Sequence, residues 1–526
     1  MFKKVSIKGI LLGFLLTLFV LLGLFHTNVW RLYKAITLYD ADKIAHNFLN
    51  MYTMFDSSTI EASQSTYYFP VNYQALPYDF SVEGESIVVQ DFLAQSATHA
   101  MMVIKDGEIV YEQYFLEDSP EKQHISFSVA KSFVSALFGI AIDEGHIKSI
   151  EDSVTDYVPE LIGSGYEGVR IKDVLQMSSG VKFNEDYADY NSDINRFSRA
   201  IAFGTSLDSF TASLQREREP GTFHHYVSID TQVLGMILVR ATGVSLSEYL
   251  SQKIWQPMGM QDAAYWMKDS NDMELALGGL NITLRDYAKF GWLYLHKGQW
   301  LSARGRSLQI VPKQWVIDSV TPDAPHLMPG SDNPQSDSSY GYGYQWWIPP
   351  GAEDEFMAQG IYGQYIYVDP DQNLVIVKNS ANPNYTDHSA QWGPKHLAMF
   401  RAISEHFVRA PEPIVPEIEE RIPDLTPEVP AELLLELTPA LAPQPSVDLS
   451  FEEVELDVSL LDSVEALSSK KEPLVSKETL QKQAQAIIEQ GSSAHFESLD
   501  KPILEQEPEA SVDESSTQTP ETPTPE

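Results

Sequence analysis

Apolar residues fall along this chain in three rhythms, and each predicts a different kind of element. The first is an unbroken run over residues 9–25, preceded by Lys3, Lys4 and Lys8 and followed by Trp30 and Tyr33. Extended through Trp30 it just reaches the length of a bilayer core, with the two aromatics at the interface. Leu22-Gly23-Leu24-Phe25-His26 offers no small-x-small cleavage site, so an uncleaved anchor over residues 1–34 is expected rather than a signal peptide. The lysines and terminal amine before the run outnumber Arg31 and Lys34 after it, which places the remainder outside the cytoplasm, periplasmic or extracellular.

Residues 35–95 are mixed and are expected to pack as an N-terminal extension on the domain that begins at residue 96. From Ala100 short apolar runs take over: 101–104, then Lys105-Asp106-Gly107, then 109–111 read as a hairpin turning at Asp-Gly. Next, Val129, Phe133, Leu137, Ile140 and Ala141 recur at helical intervals. Helical patterns dominate about 140–340, including 171–177, 231–242 and 284–296, broken by Gly-rich and Asp-rich loops. Strands return at 365–368 and 374–377 around the turn Asp369-Pro370-Asp371-Gln372, and a closing helix runs from about Ser389 to Phe407. Strands at both ends with helices between predict one α/β (α+β) domain over 96–410. Its antiparallel sheet is completed by distant segments, flanked by helices, and interrupted by a mostly helical insertion at about 140–340.

Past Ala410 the pattern stops. Residues 411–526 hold 15 prolines, 27 acidic and 6 basic residues, a net −21 of the chain's −38. Such a segment cannot bury enough apolar surface to fold alone, so a largely disordered, solvated tail is expected, capable of a transient helix at 474–490, with its partner unknown. Over the whole chain 43% hydrophobic and 11% aromatic residues are enough for most of it to build a core. The acidic balance excludes nucleic acid, whose phosphates need Lys and Arg. Without cysteine there is no thiol catalysis, disulfide or thiolate metal site. No grouping of His and carboxylates has metal-ligand spacing, so neither metal nor cofactor is expected.

The candidate chemistry starts at Ser128-Val129-Ala130-Lys131. A Ser and a Lys three apart on a helix share a face, so hydroxyl and amine can share a proton. The same spacing occurs at Ser119/Lys122, Ser179/Lys182 and Ser468/Lys471, in a charged turn, a loop and the tail. Only Ser128 opens a long apolar helix, whose dipole favours developing negative charge at its N-terminus. Two further stretches stand out: Glu219-Pro220-Gly221 leading to Tyr226-Val227-Ser228 ahead of another helix, and Gln359-Gly360-Ile361-Tyr362-Gly363-Gln364 at the entry to the late hairpin. Glycines there let a backbone come close to a ligand.

Together these elements resemble the serine hydrolases of the penicillin-recognising, class C β-lactamase type. Ser128-x-x-Lys131, Pro220-Gly221 with Tyr226-x-Ser228, Asp173 to Gly180, and Gly279-Leu280 through Arg285 to Gly291 match elements of that family. The resemblance implies a β-lactamase/transpeptidase-like fold and an acyl-enzyme on Ser128, with Lys131 and Tyr226 as the proton-transfer pair. An ammonium beside the phenol is expected to lower the phenol's pKa. Backbone N–H groups of Ser128 and Ile361 would form the oxyanion hole. Ser228 and Gly360 would contact substrate, and Tyr187 with Trp346 or Trp347 would line the cleft mouth.

The departures bear on substrate. Where the penicillin-recognising enzymes carry Lys-Thr-Gly or His-x-Gly, this chain has Ala358-Gln359-Gly360, and a substrate carboxylate would lose a charge-assisted bond of roughly 1.5–3 kcal/mol. Ser228 replaces an Asn. Both changes resemble the 6-aminohexanoate-dimer (nylon-oligomer) hydrolases and related esterases, which implies a small linear amide or ester substrate. A D-Ala-D-Ala carboxypeptidase or β-lactamase is the enzyme alternative, and a non-catalytic envelope-binding scaffold the alternative from another class. Without a Gly-x-Ser-x-Gly elbow, His224 and His225 read as packing or surface residues; Glu185 and Asp186, near the expected cleft, have the chemistry to position water but read as a solvated loop.

Overall fold

The structure is a computed structural model and describes residues 30–31, 33–202 and 205–407. The anchor over 1–34, apart from its last few residues, and the tail over 411–526 lie outside the described residues. Among the described residues no single helix is long and apolar enough to cross a membrane.

In chain order the elements that place the site are α1 (Ile44–Met54), β1 (Ser57–Ile60), β2 (Thr98–Lys105), β3 (Glu108–Tyr114), β4 (His124–Ile125) and α2 (Ala130–Asp143). Then come α3 (Asp193–Ala202), α4 (Ser228–Thr242), β5 (Ala264–Met267), β6 (Leu280–Ile282) and α5 (Leu284–Leu295). The late group is β7 (Gly341–Tyr342), β8 (Trp347–Ile348), β9 (Phe356–Gly360), β10 (Gln364–Asp369), β11 (Leu374–Ser380) and α6 (Trp392–His406).

The β2–β3 hairpin forms because Asp106 and Gly107 both adopt positive φ, 53° and 83°, the geometry a two-residue turn needs to match strand twist. Its partner comes from far along the chain: β11 pairs antiparallel with β2, Val377 opposite Met102. The result is a seven-stranded antiparallel sheet in the order β7-β8-β9-β10-β11-β2-β3. Alternate residues face opposite sides of a strand. Met102, Ile104, Ile366, Val375 and Val377 enter one core with α2 and α5, while Met101, Val103, Tyr365, Tyr367 and Ile376 enter a second with α6. Both faces are covered, which is why these strands read as continuous apolar runs. Helix α5 lies close on the sheet because residue 291 is glycine; a Cβ there would come within 2.7 Å of Ile366 and Val375.

The region 140–340 is not a self-contained helical insertion. Its strands β5 and β6 join β1 and β4 in a second sheet, β1-β5-β6-β4, so segments from outside the region complete it. The runs concerned are three and four residues long, too short to show a period, and their pairing is set by tertiary contact.

One cation is buried in the large sheet. Lys378 on β11 lies between Tyr365 and Met101 in register and donates to the Ser380 hydroxyl, and burial lowers its pKa to about 7. Burial also lowers the neighbouring imidazoles His99, His124 and His396. The unfolded chain keeps this amine protonated up to roughly pH 10, so it binds more protons than the native state between about 7 and 10, and stability rises with pH there. Lys378→Met removes that effect. It is expected to raise the melting temperature more at pH 7 than at pH 9.5 in scanning calorimetry; equal shifts at both pH values would count against the buried neutral amine.

Candidate active site

Ser128 sits in a 3-10 turn, Phe127–Val129, that leads into α2. It therefore stands two residues before the α-helix rather than opening it. Phe127 takes a left-handed φ of 43°, which turns the chain sharply from β4 into the helix. Behind it Phe133 of α2 stacks on Phe290 of α5, centroids 3.6 Å apart, fixing the helix against the sheet.

The Lys131 amine donates to the Ser128 hydroxyl at 2.9 Å and to the Leu277 carbonyl at 2.6 Å. Only 1% of Lys131 is exposed. Burial lowers its pKa to about 7, and the Glu185 carboxylate pulls weakly the other way. The same amine lies 5.5 Å from the Tyr226 ring centroid, and the Ser128 hydroxyl interacts with the Tyr226 phenol. Hydroxyl, amine and phenol thus converge from β4–α2 and from the loop before α4. The phenol does not follow the sequence expectation of a lowered pKa. Burial, then Glu185, raise it well above its ordinary value despite the Ser128 contact; the cost of desolvating a phenolate outweighs the hydrogen bond that favours it.

Tyr226 is held by the segment that matched on sequence at Asp173–Gly180. Met177 accepts from the His225 amide at 3.0 Å, and Ser178 from the Gly221 amide at 2.8 Å. Trp347 stacks on the Tyr226 ring, centroids 5.1 Å apart and 21° between planes. Trp346 instead is buried in the core against Tyr294 and Phe290, so of the two tryptophans only Trp347 reaches the site. His224 bonds Ser336 and His225 bonds Asp337 and the Phe183 carbonyl.

Gly360 ends β9 against the turn that carries Ser128. A Cβ there would meet the Ser126 carbonyl at 2.7 Å, so glycine is what lets Ile361 line the same cleft as Ser128 and Tyr187. The turn after it is locked by Gln364, whose amide donates to the Ile361 and Ser380 carbonyls at 3.1 and 2.7 Å and accepts from the Ser380 amide at 3.0 Å. Nothing in the local sequence gives Gln364 that task, because its partner is 16 residues away on the neighbouring strand.

Glu185 belongs to the site, contrary to its reading as a solvated loop. Its carboxylate accepts from the Ser228 hydroxyl and amide at the first turn of α4, where a helix favours negative charge, and from the Tyr187 hydroxyl at 2.7 Å. Ser228 is therefore engaged by Glu185. The only sequence signal was an acid beside Tyr187.

With that geometry in place, the chain can be compared with known proteins. A family model described as Beta-lactamase matches residues 88–395. The chain belongs to the beta-lactamase family. That family is one of serine hydrolases, and the 6-aminohexanoate-dimer hydrolase of Paenarthrobacter ureafaciens is 31% identical over 299 residues, 56% of this chain and 74% of that one. A protein named "Putative D-alanyl-D-alanine carboxypeptidase" from Escherichia coli (strain K12) is 23% identical over 213 residues, 35% of this chain and 48% of its own. Among solved structures, "Putative 6-aminohexanoate-dimer hydrolase from Bacillus anthracis" superposes with a TM-score of 0.63 at 24% identity, covering 71% of this chain and 97% of that one. This beta-lactamase-family chain therefore shares the α/β fold of antiparallel sheets and flanking helices over nearly all of that structure.

Proposed function

We propose that this beta-lactamase-family protein is a membrane-anchored hydrolase that opens linear amide or ester bonds outside the cytoplasm, through an acyl-enzyme on Ser128. The observation that carries the reading is the 2.9 Å bond from a desolvated, readily deprotonated Lys131 amine to the Ser128 hydroxyl. Neutral Lys131 takes the Ser128 proton as Oγ bonds to the substrate carbonyl carbon. The oxyanion is received by the N–H groups of Ser128 and Ile361. Tyr226, kept protonated by burial, gives its proton to the leaving amine or alkoxide as the scissile bond breaks. The proton on Lys131 then returns to the phenolate, and water hydrolyses the acyl-enzyme. Tyr187, Trp347, Ser228 and Gly360 border the substrate. Anchoring rests on the sequence alone, on the apolar run and its flanking lysines.

A β-lactam or D-Ala-D-Ala substrate is disfavoured by Ala358 and Gln359 at the family's cation position and by the Glu185 carboxylate in the site. The test is turnover of p-nitrophenyl esters and linear amides by the full-length chain, with Ser128→Ala as control and a fluorescent penicillin as competitor. Covalent penicillin labelling of Ser128 without ester or amide turnover would replace this reading by the carboxypeptidase one.

The pH profile is a separate expectation. The base form of Lys131 is needed, so kcat/KM should rise with pH through an apparent pKa of about 7. Because Glu185 raises the Lys131 pKa, Glu185→Gln should shift that limb to lower pH. A limb near pH 4–5, the roughly carboxylate range, would assign the base elsewhere.

A further inference from the structure

The cleft that Ser128 lines encloses about 570 Å³, within the range of small-molecule sites. Its walls are mostly apolar. Ile36 and Leu38 come from the segment before α1, Ile194 and Phe197 from α3, and Met267 and Leu277 from around the second sheet. The polar side chains in the lining are turned to the protein itself. Asn195 donates its amide to the Tyr187 and Asp189 carbonyls at 3.0 and 2.9 Å, and Ser198 its hydroxyl to the Ile194 carbonyl at 2.9 Å. Arg199 bonds the Tyr190 carbonyl at 2.6 Å and lies over the Tyr190 ring at 4.0 Å. Among the described residues no carboxylate lines this cleft; Glu185, beside the lining residue Tyr187, is already engaged by the Tyr187 and Ser228 hydroxyls, so an ammonium carried along the apolar wall would be poorly compensated.

The approach to the cleft is apolar as well. Trp30, Tyr33, Ile36 and Tyr39 recur every third residue and are 58%, 49%, 69% and 41% exposed. They lie shortly after the apolar run at 9–25. Ile36 and Tyr39 belong both to this exposed stripe and to the cleft wall. Apolar surface thus continues from this exposed stripe into the cleft, which suits a substrate arm that leaves water readily.

We infer that one arm of the scissile ester or amide is an uncharged alkyl chain lying in this cleft. The enzyme is then selective for medium-length alkyl chains and against chains that end in an ammonium or a carboxylate. The inference rests on Ser128, one of the residues lining the cleft, being the nucleophile. Each methylene moved from water into such a cleft contributes about a fourfold gain.

The experiment uses the full-length chain with two series, p-nitrophenyl alkanoates from acetate to decanoate and alkyl acetates of the same lengths, plus octanoate analogues ending in a carboxylate or an ammonium. Supporting results are a kcat/KM that climbs about two- to fourfold per methylene up to about eight carbons in one series, and a loss of about tenfold or more on adding either terminal charge. Flat or falling series, or a preference for the carboxylate-ended chain through Arg199, overturn the inference.

Two variants at exposed wall positions, Ile36→Asp and Ala188→Trp, keep the test clear of misfolding. Each should lower the octanoyl-to-acetyl ratio by about tenfold, the worth of roughly two methylenes; folded variants with an unchanged ratio overturn the inference. Calorimetric binding of the same esters to Ser128→Ala separates the two proposals. If nothing is hydrolysed but affinity still tightens with chain length, the alkyl cleft stands and the hydrolase reading falls. If esters are hydrolysed at a rate indifferent to length, the reverse holds.

Discussion

Lys131→Met is expected to slow acylation of Ser128 by an activated ester by about 100- to 10,000-fold, the contribution of a positioned proton acceptor, while the protein stays folded. Methionine fills nearly the same buried volume, and the amine it removes donates to the Ser128 hydroxyl and the Leu277 carbonyl. The rise in activity near pH 7 should vanish with it. Ser128→Ala removes the bond-forming atom and should lose about a million-fold, and the double variant should be no worse, because the pair acts as one unit. Lys131→Arg should be as slow as the methionine variant, since a guanidinium does not give up its proton. Single-turnover release of p-nitrophenol reads all four rates. A Lys131→Met rate within about tenfold of the parent would mean that some other group takes the proton.

The second large effect is on stability. Lys289 and Asp286 form a fully buried ion pair on α5, 2.9 Å apart with side chains 2% and 0% exposed. Asp286 also accepts from the Gln261 and Asp262 amides at 2.7 and 2.9 Å, and Lys289 donates to the Gly259 carbonyl at 3.0 Å. The pair thereby ties the 259–262 loop, just ahead of β5, to the helix lying on the large sheet. Lys289→Met leaves a carboxylate buried without its cation and should cost about 3–5 kcal/mol, read as a lower urea midpoint at unchanged slope. Adding Asp286→Asn should recover part of the loss, because the uncompensated charge goes too. A single-variant loss below about 1 kcal/mol would show that the pair behaves like a surface bridge.

How much the sequence disclosed depends on the range of each signal. The two hairpins were legible because Asp106-Gly107 and the 369–372 turn act within a few residues, and α2 because its apolar positions keep a helical period. Their joining in one sheet was legible as an inference from strands at both ends. The pairing of β1 with β5 was not, since Ser57 and Met267 meet only through tertiary contact. Ser128, Lys131 and Tyr226 stood out because hydroxyl, amine and phenol sit in short patterned stretches. Glu185 did not, since its meaning depends on Ser228, 43 residues on. The raised Tyr226 pKa was likewise hidden: spacing reports which charges are neighbours, whereas desolvation depends on what the whole fold excludes. The extension at 35–95, expected only to pack, supplies a wall of the cleft that Ser128 lines, through Leu38, Tyr39 and Met51.

The pairing of β11 with β2 also sets a schedule for biosynthesis. Strand β2 emerges from the ribosome some 270 residues before the partner that covers its edge, Lys105 having to wait for Leu374. Contacts that distant make for slow folding and leave an open, aggregation-prone edge in the meantime. A nascent chain halted just before residue 374 holds every group of the Ser128–Lys131–Tyr226 set and no finished platform to hold them on. Competence should therefore switch on late and abruptly during synthesis, and a holding factor that shields the β2 edge should raise the yield of active enzyme more than one acting on the completed chain.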